Sequence, residues 1–66
     1  MDKQSLIKDI EVRIAVYRDE IADCVNLAQK EYEDRNVYTD LIEYFSGKIS
    51  AYETMLEMIE DSHRNG

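Results

Sequence analysis

Apolar side chains recur at alternating steps of three and four residues along both halves of this 66-residue chain. The first stripe comprises Ile7, Ile10, Ile14, Tyr17, Ile21, Cys24 and Ala28. The second stripe comprises Tyr38, Ile42, Phe45, Ile49, Tyr52, Leu56 and Ile59. This spacing aligns the side chains on one face of an α-helix. Since the chain also lacks proline, the sequence predicts an all-α protein.

The two stripes predict an antiparallel helical hairpin with helices at about residues 3–33 and 37–62. The intervening segment is polar, and Glu31 and Arg35 stand where the apolar repeat would continue. A hairpin allows each stripe to cover the other, so we expect residues 1–66 to form a single domain. A competing interpretation stays open, because the seven-residue register continues unbroken through the polar segment. One long helix in an extended coiled coil would also satisfy it.

Helix caps are expected at residues whose side chains accept hydrogen bonds from backbone N–H groups. Asp2 or Ser5 suits the start of the first helix, and Asn36 or Thr39 suits the start of the second.

Gly47 interrupts the second stripe region, where glycine costs about 0.5–1 kcal/mol relative to alanine. Ser50 and Glu53 fit a capping box, which would start a third helix after the glycine. However, Phe45 and Ile49 keep the same phase on either side of Gly47. The pattern therefore favours one continuous helix, with a three-helix arrangement as the alternative.

A further repeat runs beside the second stripe, on a face that a lone hairpin would leave in water. We call it the second seam; it consists of Leu41, Tyr44, Gly47, Lys48, Ala51, Met55 and Met58. Its small residues would allow another helix to approach closely. Exposed apolar patches of this kind mark interfaces, although this one would also suit the edge of a wide core.

The short chain also points to self-association, because small domains need disulfides, metals or oligomerisation for stability. The single cysteine, Cys24, excludes an internal disulfide, and no zinc-type Cys/His cluster is present. The sequence therefore predicts a homo-oligomer, most simply a dimer of hairpins forming a four-helix bundle through the second seam.

Charge excludes direct nucleic-acid binding, since the formal net charge is −7 and phosphates require cations. Four carboxylates near the end of the second helix form what we call the acidic ridge: Glu53, Glu57, Glu60 and Asp61. This ridge is either a solubilising face or a docking strip for a basic protein surface. In the second case the protein would be an inhibitor that mimics nucleic-acid charge.

No catalytic, cofactor or metal site is predicted, so we expect a protein that is not an enzyme. Cys24 falls on the apolar stripe, where burial disfavours the reactive thiolate. Glu60 and His63 have the spacing of a di-iron motif, but the accompanying carboxylates are missing. A tyrosine-lined crevice between chains, with Arg13, Arg18 or Lys48 nearby, would hold a small anionic ligand such as a nucleotide, which is a third functional hypothesis.

No signal peptide or membrane-spanning stretch is evident, so we expect a cytoplasmic protein without membrane contacts. The segment "YFSGKISAYETMLEMIE", residues 44–60, resembles the C-terminal helix of short proteins of unassigned function from phages and prophages. The shared pattern is Gly-Lys-Ile-x-Ala-Tyr-Glu followed by aliphatic positions. The resemblance implies an accessory protein that works by protein–protein binding, for example by inhibiting a host protein, and it assigns no residue roles.

Overall fold

Two long α-helices fold back on each other in the computed structural model, which describes the backbone of residues 2–65 and the side chains of residues 2–61. Helix α1 spans Lys3–Lys30 and helix α2 spans Arg35–Asn65, with a 3₁₀ turn at Tyr32–Asp34. The molecule is 52 Å long. One 31-residue helix measures about 46 Å, whereas a continuous helix over the whole chain would measure about 95 Å. The fold is the all-α hairpin, and the continuous-helix alternative is wrong.

Helix α1 begins at one of the two predicted caps. The Asp2 backbone is extended, and the Asp2 carboxylate accepts a hydrogen bond of 2.8 Å from the backbone N–H of Ser5. This bond satisfies one of the N–H groups that a helix start leaves unpaired, and it lowers the pKa of the Asp2 carboxyl. Ser5, the alternative cap, therefore lies inside the helix.

The turn between the helices lies earlier in the chain than the sequence predicted. Glu31 leaves the helical region, with φ −113° and ψ 77°, while its N–H still donates to the carbonyl of Leu27 at 2.8 Å. The 3₁₀ turn follows directly, and Arg35 already has helical φ and ψ values. The predicted boundaries at residues 33 and 37 were therefore both too late.

The predicted caps for the second helix are wrong. Asn36 and Thr39 lie inside α2, and the Thr39 hydroxyl donates to the carbonyl of Arg35 at 2.9 Å. The physical reason is that the 3₁₀ turn continues into α2 without an extended residue, and such a residue is what a side-chain cap requires.

The core forms where the two stripes meet. Every stripe residue predicted from the sequence is buried or half-buried. Among the described side chains, only Ile10, Ile14 and Cys24 are less than a tenth exposed. Tyr17 stacks on Phe45 and Tyr52 of the opposite helix, with ring centroids 5.7 and 6.0 Å apart. The predicted set of core residues is therefore correct. The core is thin, because two helices cover each other on one side only.

Gly47 does not break α2. The helix runs through it, and its φ is not positive. A Cβ atom built on Gly47 would meet nothing within 4 Å. The three-helix alternative is therefore wrong, and no packing within the chain requires a glycine at this position.

Candidate functional site

The second seam lies exposed along α2. All of its residues are solvent-exposed: Leu41, Tyr44, Gly47, Lys48, Ala51, Met55 and Met58. The Met58 side chain is 66% exposed and that of Tyr44 is 58% exposed. The hairpin therefore leaves this face exposed to solvent, and its assignment as an interface stays a prediction.

Val37 extends the seam by one step and was missed by the sequence analysis. It precedes Leu41 by four residues, and its side chain is 58% exposed. From Val37 to Met58 the seam thus alternates steps of four and three over about 32 Å of helix. The spacing was visible in the sequence, but the predicted start of the helix at residue 37 left Val37 at its frayed end.

Tyr44 connects the seam to the core. Its ring meets the Phe45 ring edge-on at 5.5 Å between centroids. The Lys48 ammonium nitrogen lies 5.2 Å from the centroid of the Tyr44 ring, a cation–π distance. The Lys48 side chain therefore lies over Tyr44, one turn earlier in α2. The seam thus carries one positive charge near its middle.

The hairpin exposes more surface than its size accounts for. Its accessible area is 5280 Å², whereas a folded monomer of 7.8 kDa exposes about 4,400 Å². The surplus of about 900 Å² reflects the elongated shape of the hairpin, 52 Å long and 16 by 14 Å across, in which each helix is covered on one side only.

Other exposed apolar side chains are less regular. Val12 and Val16 of α1 are about half exposed. Near the turn, Val25 and Tyr32 border a shallow groove, and the Arg35 guanidinium lies 5.7 Å from the centre of the Tyr32 ring. These residues do not repeat at regular helical steps, so they do not form a second continuous seam. Single exposed apolar residues are normal on protein surfaces.

The acidic ridge is also exposed, but one of its members already has a partner. Glu53, Glu57, Glu60 and Asp61 all face solvent. The Glu53 carboxylate lies 3.4 Å from the Arg18 guanidinium of α1, and both side chains are at least half exposed. The ridge thus presents three carboxylates on α2 plus one that is shared with a cation, so the sequence overstated its negative charge.

A pair of side chains at the turn was not predicted as a unit. The Tyr38 hydroxyl donates a hydrogen bond to the Glu31 carboxylate, which raises the pKa of Tyr38 to about 12. Glu31 occupies an apolar position of the heptad pattern, seven residues before Tyr38. A carboxylate at a stripe position one heptad from a tyrosine was the signal that could have revealed this contact.

The residues proposed for ligand binding do not share one crevice. Tyr17 and Tyr52 stack in the core. The Arg13 guanidinium lies 3.4 Å from the Asp9 carboxylate, Arg18 pairs with Glu53, and Lys48 covers Tyr44. Each of these cations therefore has a neighbour within the chain. The tyrosine-crevice hypothesis places the crevice between two chains, so it stays a prediction.

Cys24 is only 6% exposed, as expected for a buried structural thiol. Within the described part of the chain, no three His, Cys, Asp or Glu side chains are placed to hold a metal ion. His63, the partner of Glu60 in the di-iron spacing, lies outside the described side chains. No helix among residues 2–65 is long and apolar enough to cross a membrane.

Comparisons with protein-family models, with curated proteins and with solved structures find no match to this chain.

Proposed function

We propose that this protein is a non-enzymatic binding protein whose hairpins self-associate through the second seam into a dimeric four-helix bundle, and that it acts by contacting another protein. The observation that carries the proposal is the exposed apolar repeat from Val37 to Met58, on a face that the hairpin does not use.

The geometry of helical bundles supports this assignment. In a dimer of hairpins whose α2 helices meet, α2 borders two neighbours and needs two apolar seams. Helix α2 has both: the stripe that packs on α1, and the second seam beside it. A helix packed on the second seam would also thicken a core in which most stripe residues are half-buried.

The resemblance of residues 44–60 to phage and prophage helices is what supports the biological setting in this proposal. We assign the protein as a cytoplasmic accessory protein that inhibits a host protein by binding it. The buried thiol of Cys24 supports a reducing compartment.

A second candidate function uses the acidic ridge. Glu57, Glu60 and Asp61 are exposed on one side of α2 and would attract a basic groove, in the extreme one that binds nucleic acid. Binding through the ridge would be abolished by modest salt, whereas binding through an apolar surface would survive it.

Paired substitutions test the proposal. Met55→Asp places a charge on the seam, and Val12→Asp places the same charge at a similarly exposed apolar position on α1. We expect size-exclusion chromatography with light scattering to show a dimer for the wild type and for Val12→Asp, and a monomer for Met55→Asp. Equal masses for all three proteins would contradict the use of this seam.

A further inference from the structure

The order of side chains along the second seam determines how two copies would pair. In a parallel twofold pair each residue meets its own copy, so Lys48 would face Lys48 in the middle of the interface. Two ammonium groups brought together and shielded from water repel each other strongly. A parallel pair would also bring both acidic ridges to the same end of the bundle, where like charges add to the repulsion.

An antiparallel pair removes both conflicts. The seam consists of two sets of positions that each repeat every seven residues. Tyr44, Ala51 and Met58 belong to one set, and Leu41, Lys48 and Met55 belong to the other. In an antiparallel pair each residue of one set lies opposite a residue of the other set. One register pairs Leu41 with Met58, Tyr44 with Met55, and Lys48 with Ala51. The small Ala51 leaves room for the lysine chain, and the Met55 sulfur meets an aromatic ring, which is a favourable contact.

The length of α2 selects this register over its neighbours. Its twofold axis passes level with residues 49–50, which is also the midpoint of helix Arg35–Asn65. The two copies of α2 then overlap along their whole length. A shift by one heptad would leave about two turns of each helix unpaired. One direction would uncover Met58 in place of Val37, and the other would leave both Leu41 and Tyr44 without a seam residue opposite. Antiparallel helices also align their dipoles favourably.

From these observations, and building on the proposed self-association, we infer that the partner of the second seam is a second copy of this chain, with the two α2 helices antiparallel and Leu41 of each copy beside Met58 of the other. The acidic ridges then lie at opposite ends of the bundle, directed away from the interface.

Cysteine cross-linking tests this pairing. The proteins are Leu41→Cys, Met58→Cys and an equal mixture of the two, with the wild type as a control because its Cys24 is buried. In the inferred register each engineered cysteine lies about 26 Å along the axis from its own copy, so only the mixture brings two thiols together. We expect at least tenfold more covalent dimer in the mixture than in either single variant under mild oxidation. Tyr44→Cys and Met55→Cys, tested in the same way, should repeat this result.

The other outcomes are distinct. Covalent dimer in each single variant would overturn the inference in favour of a parallel pair. Absence of covalent dimer in both mixtures, while sedimentation still shows non-covalent dimers, would overturn the register but leave the proposed function standing. A wild-type protein that stays monomeric would overturn both.

Discussion

Gly47→Leu is the substitution that separates the fold of the hairpin from its assembly. Within one chain the change is favourable, because a Cβ at Gly47 meets nothing within 4 Å and the helix is regular there. Replacing glycine by a good helix former stabilises a helix by about 0.5–1 kcal/mol. For a domain of this size that corresponds to a melting temperature about 2–8 °C higher.

The same substitution should weaken the dimer. Gly47 lies at the edge of the second seam. In the inferred antiparallel register it would lie beside Thr54 of the second copy, where two small residues would allow the helices to approach. A leucine in such a close contact costs about 1–3 kcal/mol in overpacking, which is about a five- to 150-fold weaker association. Gly47→Ala, with one methyl group, gains the same helix propensity with far less bulk.

The assay combines circular dichroism at 222 nm with sedimentation equilibrium on the wild type and both variants. We expect equal or greater helical content in both variants, dimers for wild type and Gly47→Ala, and mainly monomers for Gly47→Leu at concentrations where the wild type is dimeric. A Gly47→Leu protein that keeps the wild-type mass would refute the role of this glycine in assembly. A loss of helical content in either variant would contradict the finding that a side chain at position 47 fits within the hairpin.

Three further predictions concern the fold and its surface. Ile10 is the least exposed of the described side chains, at 2%, and Ile10→Ala should lower the free energy of unfolding by about 2–5 kcal/mol. Val12→Ala, at an exposed position, should change it by less than about 0.5 kcal/mol. Urea titrations of the two variants measure the difference. The pKa of Tyr38 is raised to about 12, so its contact with Glu31 stabilises the fold below pH 10, and this contribution is lost as the pH rises towards 12. Spectrophotometric titration should show one late-titrating tyrosine in the wild type that is absent from Tyr38→Phe. Titration curves with no late-titrating tyrosine in the wild type would contradict the contact. Reversing charge in the ridge with Glu57→Lys and Glu60→Lys should leave the dimer mass unchanged, because neither residue lies on the seam; a monomeric variant would show that the ridge takes part in assembly.

The stripes could be predicted from the sequence because helical periodicity is a local property. Each stripe residue needs only its neighbours at three and four positions to define a face, and a hairpin is the simplest way to cover two such faces. For the same reason Gly47 could be assigned to a continuous helix, since the phase of Phe45 and Ile49 is preserved across it.

The turn could not be predicted in detail. A run of polar residues fits several geometries, and a 3₁₀ turn that leads straight into α2 leaves no extended residue for Asn36 or Thr39 to act as a cap. The pairing of Tyr38 with Glu31 depends on the path of the chain between them. The pairing of Arg18 with Glu53 depends on the register of the two helices, which the stripes alone do not fix.

The second seam could be predicted from the sequence in part. Its exposure followed from its offset from the stripe, yet its full extent to Val37 emerged only when α2 proved to begin at Arg35. What covers the seam depends on contacts outside the single chain, which helical periodicity does not specify.

Sedimentation equilibrium of the wild-type protein over micromolar to sub-millimolar concentrations tests the central claim most directly. Self-association through the second seam predicts a species of twice the 7.8 kDa chain mass that dissociates on dilution and persists in high salt, because the contacts are mainly apolar. A mass of one chain throughout the concentration range would contradict the account.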